Sequence, residues 1–344
     1  MDTKRPSVED GKKHFSARPE IIRTRPGRAS RNGGGLYSVA VGSKSRIRVV
    51  VAFHSIFYAP LPVAIHGGHF AAEGLEVDPE TPALAAGTVG AIQSGEADVA
   101  LSGIMRSFEL ADRGDAPPIH FAAVNDRNGF FLLGRRAQPS FGWSDLIGRT
   151  VISFGGAPTP WLCMQAVLRR HGVDPSRVTF LRGLSTDDAI AAFRTRKAEY
   201  LEHGPPVVDR LVADGTGHFV ASMGEATGPV PFSSFMATRA MLTRDRERLV
   251  RFVRGLARAQ RWMAASGANE IAAVIAPAFA DVDPRIRVAA VERYLRQLTW
   301  ARDPVLTRTG FEALQTILLD GGFIKRTHRF EELVDTDLAR QAAG

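Results

Sequence analysis

The chain has 344 residues, 44% of them hydrophobic, with a formal net charge of +8 at pH 7 and a single cysteine. One cysteine excludes an internal disulfide framework and a cysteine-rich zinc site, and no run approaches the roughly 20 apolar residues that span a membrane. Residues 1–48 carry twelve Lys/Arg against four Asp/Glu, so the rest of the chain is electrically balanced and no nucleic-acid face is expected on its globular part.

The leader, 1–45, passes through "RTRPGRASRNGGG", has no apolar period and is expected to be disordered. No export signal is legible in it, because Leu36–Val41 is too short and too late for one. From residue 46 strands and helices alternate. "RIRVVVAF" (46–53) reads as a buried strand, "APLPVAIHGGHFAAEG" (59–74) as a helix ending at glycine, and "LEVDPE" (75–80) as a second strand. "GTVGAIQSGEADVALSG" (87–103) gives a helix and a third strand. The order then repeats: strand "RTVISF" (149–154), a helix ending "RRHG" (169–172), strand "RVTFL" (177–181), and helix plus strand in "TDDAIAAFRTRKAEYLEHG" (186–204). Ala91-Ile92 and Ala189-Ile190 open equivalent helices, so an α/β unit is duplicated, and helical crossovers predict mostly parallel sheets. After residue 230 the pattern is mostly helical, with an amphipathic helix over 244–265, two more helices, and a last one over 307–324.

In such sheets ligands sit beyond the carboxyl ends of the strands. Those ends are His54 to Tyr58 and Ser102-Gly103 in the first copy, and Gly155 to Trp161 and His203-Gly204-Pro205 in the second. "VISFGGAPTPWLCMQAVLRRHG" (151–172) reads as strand, glycine turn and helix, a junction that points free N–H groups at whatever lies above the strand. It lacks the lysine and hydroxyl of a P-loop, the third glycine of a dinucleotide fingerprint, and the serine of a nucleophile elbow. It suits a carboxylate, sulfonate or phosphate, or is a plain structural turn. Trp161 lies opposite Phe57 and Tyr58 in the duplicated layout, where aromatic walls would sandwich a flat ligand; Phe57 and Trp161 equally suit a core. Cys163, flanked by Leu162 and Met164, reads as buried and inert rather than as a nucleophile with His203 as base. His66 and His69 share a helix face without a carboxylate partner, so no metal is expected there.

The segments "AIHGGHFAAEGLEVD", "AIQSGEADVALSG", "DLIGRTVISFGGAP", "GEATGPVPFSSFMATRAML" and "GGFIKRTHRFEELVDTDLA", in that order over about residues 46 to 335, resemble the nitrate/sulfonate/taurine and thiamine-pyrimidine group of ABC-transporter solute-binding proteins. The resemblance implies a two-lobed α/β type II periplasmic-binding fold, each lobe a mostly parallel sheet flanked by helices, with a helical C-terminal extension. It implies lobe 1 over 46–127, lobe 2 over 128–228, a return to lobe 1 over 229–335 and a tail over 336–344. The lobes would be crossed near Asn125 to Gly129 and near Gly224 to Pro231. It also implies a monomer that binds a small anionic or aromatic ligand and hands it to an ABC permease, without cofactor, metal or catalytic residue. On these grounds Phe57 and Tyr58 are expected to stack on the ligand, with His54 and Gly103 beside them and Ser102 giving a hydrogen bond. Gly155, Gly156, Ala157 and Thr159 are expected to hold an anionic group, Trp161 to form the facing wall, His203 to make a polar contact, and Glu225 to meet a cationic or N–H group. Such proteins are periplasmic, whereas the missing export signal leaves the cytoplasm open. The alternative is an enzyme resembling the pyrimidine synthase of thiamine biosynthesis, but Lys197 and Lys325, the only lysines after Lys44, sit at no predicted strand end in the cleft.

Overall fold

The computed structural model describes residues 45–82, 85 and 87–343; the leader expected to be disordered lies outside them except for its last residue. Lobe 1 begins with β1 (Ser45–Val51), a 3-10 turn at Ile56–Tyr58, α1 (Pro60–His66), β2 (Leu75–Glu80), α2 (Gly87–Ser94), β3 (Val99–Gly103), α3 (Met105–Arg113) and β4 (Ile119–Arg127). Lobe 2 follows with β5 (Phe131–Gly134), β6 (Thr150–Ile152), α4 (Pro158–Arg170), β7 (Thr179–Leu181), α5 (Thr186–Arg194), β8 (Tyr200–His203), α6 (Val207–Ala213) and β9 (His218–Ser222). After α7 (Met223–Thr227), β10 (Pro229–Ala237) rejoins lobe 1. It leads to α8 (Arg239–Arg244), α9 (Arg246–Ala265), α10 (Ala268–Val274), α11 (Pro284–Gln297), α12 (Arg308–Asp320), α13 (Phe330–Leu333) and α14 (Asp337–Ala343).

The sheets run β2-β1-β3-β10-β4 and β7-β6-β8-β5-β9. In each, the first three strands are parallel, as helical crossovers require, and the fourth is antiparallel to both neighbours. That fourth strand is the one that has just arrived from the other lobe: β5 enters lobe 2 after β4, and β10 enters lobe 1 after α7. Two α/β layers of one topology are thus tied by two crossing segments.

Three readings of the sequence change. The helix expected over 59–74 is broken at Gly67-Gly68, where Gly68 takes φ +75°. The stretch after 230 starts as the internal strand β10, and the helix expected over 244–265 is α9, which begins at Arg246 after the short separate α8. The 336–344 tail contains α14, which packs on α9 and β4.

The crossings are held by side chains of α11 and by glycines. Gln297 accepts from Ser222 Oγ at 2.5 Å through its Oε1 and donates through Nε2 to the Asn128 carbonyl at 2.7 Å, so one amide joins both crossing segments. A Cβ on Gly224 would fall 2.5 Å from that carbonyl. A Cβ on Gly129 would fall 3.1 Å from Phe57 Cζ, with other ring atoms closer still; glycine lets the ring lie on the crossing. Arg293 of α11 reaches α6, pairing with Asp209 at 3.0 Å while its guanidinium lies 3.3 Å from the Phe219 ring centroid. α11 and α12 therefore pack on elements of both lobes.

Candidate functional site

The strand ends of the two sheets face one another across a cavity of about 670 Å³. Every βα junction of the two parallel cores contributes to its wall, which is where the duplicated topology points. His54, Phe57, Tyr58, Ser102, Gly103, Gly155, Gly156, Ala157, Thr159 and His203 line it; Trp161 and Glu225 do not.

The lobe 2 wall is built on the start of α4. Its cap position is Ala157, which has no side chain to offer, and Pro158 and Pro160 have no N–H. The N–H donors available at this turn are therefore those of Gly155, Gly156, Ala157 and Thr159. Among the described residues none of these four N–H groups has a hydrogen-bond partner. α5, whose first residue also faces the cavity, is different: Ser185 caps it by accepting from the Asp188 N–H. Thr159 is only 3% exposed and lines the cavity, and its hydroxyl has no partner among the described residues. Uncapped amides and a free hydroxyl at the positive end of a 13-residue helix suit an anion.

His203 is buried beside this wall, and burial lowers its pKa to about 4, so the ring is neutral. The Gly204 N–H donates to Nδ1 at 2.9 Å, the shorter of its two contacts with that residue, which leaves Nε2–H as the donor, 3.4 Å from Thr186 Oγ1. On the lobe 1 side Ser102 Oγ accepts from Thr88 at 3.2 Å, and Tyr58 OH meets Ser233 Oγ at 3.3 Å. The Phe57 carbonyl accepts from Asn125 Nδ2 at 2.8 Å and Trp300 Nε1 at 3.0 Å, which fixes the turn carrying both aromatics. Of charged side chains only Arg106, Arg210 and Asp281 reach the cavity among the described residues; Arg210 and Asp281 pair with each other at 3.9 Å, and Arg106 with Glu109 outside it at 3.2 Å.

Two expected residues are elsewhere for clear reasons. Trp161 is two positions past Thr159, about 200° around the helix, so its ring turns away from the cavity and lies 3.6 Å below the Arg182 guanidinium. Glu225 is exposed in the first turn of α7, where its N–H is taken by Ser222. The aromatics that do face each other from the two lobes are Phe53 and Phe154, with ring centroids 5.7 Å apart at 72°. Each follows the first strand of its duplicated α/β unit, β1 and β6, so the duplication itself could have paired them. Phe130, Phe232 and Tyr294 also line the cavity. They arrive from a crossing, the return strand and α11, and no local pattern marks them. Tyr294 is 1% exposed, yet its hydroxyl has no hydrogen-bond partner among the described residues.

Cys163 is fully buried in α4 and does not line the cavity; burial, then the Glu202 charge, raise its thiol pKa far above the usual range. Neither Lys197 nor Lys325 lines the cavity. The enclosure thus offers hydrogen-bond donors and rings, without a lysine or thiol nucleophile.

Two α/β lobes of matched topology, joined by two crossings and meeting at a ligand-sized cavity, define the periplasmic-binding-protein fold. The chain belongs to the NMT1/THI5-like family, whose model matches residues 56–269. It is 31% identical over 299 residues to a Bacillus subtilis protein named "Putative binding protein YtlA", covering 86% of this chain and 90% of that one. Among solved structures it resembles the alkanesulfonate-binding protein SsuA from Xanthomonas axonopodis pv. citri bound to MOPS, with TM-score 0.65 and 17% identity over 85% of this chain and 98% of that one. It also resembles the desulfurization enzyme DszB, with TM-score 0.62 and 14% identity over 87% of this chain and 99% of that one.

Proposed function

We propose that this protein is the solute-binding component of an ABC-type importer: its lobes close on a small organic anion, which is then delivered to a membrane permease. The observation that carries this reading is the lobe 2 turn, where the N–H groups of Gly155, Gly156, Ala157 and Thr159 and the Thr159 hydroxyl are left without partners at the wall of a two-lobed cavity. The crossings clipped by Gln297 would act as the hinge. Family membership and the names of the relatives support a binding protein, with sulfonates as the type of ligand.

The placement of Cys163, Lys197 and Lys325 outside the cavity supports binding over catalysis, against the DszB likeness and the thiamine-pyrimidine alternative. Action in the periplasm follows from this role. Native mass spectrometry of the purified full chain is expected to find one organic acid bound and released unchanged on denaturation. Conversion of an added acid into a different product would make the protein an enzyme instead.

A further inference from the structure

We propose that the cleft selects aromatic acids over aliphatic ones. This rests on the reading above that the cleft holds an organic anion, and it concerns what the rest of that ligand must be. Phe53 from lobe 1 and Phe154 from lobe 2 meet edge-to-face across the cleft, and both are only half-buried. The glycine turn lies directly against this pair: a Cβ on Gly156 would fall 2.6 Å from the Phe154 ring and 2.9 Å from the Phe53 ring. An acid whose head group meets the turn amides therefore carries its next atoms against two touching rings that belong to opposite lobes.

Behind them the wall stays aromatic. Phe130 packs on Phe154 at 4.7 Å between centroids, and Phe57 lies 6.0 Å from Phe232 and 5.9 Å from Tyr294. A planar ring can add edge-to-face and offset-stacked contacts to its buried area, whereas an alkyl chain gains the area alone. The charged side chains at the cavity already have partners, Arg210 with Asp281 at 3.9 Å and Arg106 with Glu109 at 3.2 Å. The rings of both lobes thus set specificity, and the lobe 2 turn holds the charge.

The test is calorimetric titration of the full chain with benzenesulfonate, benzoate, hexane-1-sulfonate and hexanoate at one ionic strength. For each head group the aromatic acid is expected to bind at least tenfold more tightly than the alkyl acid. Phe53→Leu, at the half-buried rim, is expected to reduce that ratio to threefold or less. The parent ratio stands as a test even if the variant does not fold. Alkyl acids binding as tightly as aromatic ones would overturn the aromatic preference and leave the organic-anion reading intact. No binding of either class at millimolar concentration would overturn both.

Discussion

Lobe 1 and lobe 2 have the same strand order and the same antiparallel fourth strand, yet a buried histidine of the first and a buried glutamate of the second are held very differently. In lobe 1, the buried His120 is bonded at both ring nitrogens, to Ser234 at 2.6 Å and to Ser107 at 2.7 Å, and Ser107 donates onward to the Pro118 carbonyl at 2.8 Å. Burial lowers the His120 pKa to about 3, so this network is neutral as well as satisfied. In lobe 2, the fully buried Glu202 carboxyl has only the Phe154 backbone N–H as a nearby donor, too little to offset its burial, and the hydroxyl of its neighbour Ser153 has no hydrogen-bond partner among the described residues. Glu202 and Ser153 close β8 and β6 next to the glycine turn. A satisfied network favours one rigid arrangement, while unpaired buried groups cost stability. The His120 network of lobe 1 is thus settled, whereas lobe 2 combines uncapped donors at the cavity with a destabilised carboxyl and an unpaired hydroxyl beneath them.

The largest effect expected from this contrast concerns Glu202. Burial holds its carboxyl up at about 8 against an ordinary 4.5, so between those values the folded protein keeps a proton that the unfolded chain releases. The resulting stability is fully present below about pH 4.5 and is lost as pH rises through about 8. Glu202→Gln cannot ionise, so it should match the parent near pH 4.5 and exceed its stability at pH 9 by on the order of 3 kcal/mol. Thermal melts of both proteins at the two pH values check this, and an unchanged pH slope would show that lobe 2 pairs its carboxyl after all. The smallest effect is expected at Cys163, which burial keeps as a neutral thiol behind the turn. Cys163→Ser should cost about 1 kcal/mol of stability and shift ligand affinity less than twofold, as read by melting and titration.

Much of the fold around this contrast was legible in the sequence, because it lies in repeated local patterns. The matched segments 87–103 and 186–204 became α2–β3 and α5–β8, each ending in the third strand of its sheet. The glycine turn could be read because no side chain stands between its amides and the strand end. Trp161 could not be assigned from spacing alone, since two helical positions decide which way a ring faces. The free donors needed one further step, the loss of N–H at Pro158 and Pro160, which the sequence already contained. Phe232 and Tyr294 depend on β10 and α11 being brought to one cavity from about 60 residues apart in the chain, a convergence that only tertiary packing creates. Glu202 and Ser153 were hidden for the same reason, since burial beneath α4 is not a property of their own segments.

The central claim is that the start of α4 holds the anion, and Thr159→Val tests it most directly. The change removes the hydroxyl that lines the cavity while keeping the shape of a residue only 3% exposed. Titration with benzenesulfonate should show binding weakened about tenfold, or about 1.4 kcal/mol, as expected for a lost hydrogen bond to a charged group. The melting temperature without ligand should change little, because the hydroxyl faces the cavity and makes no hydrogen bond to another described residue. Unchanged affinity in a folded Thr159→Val protein would contradict the account.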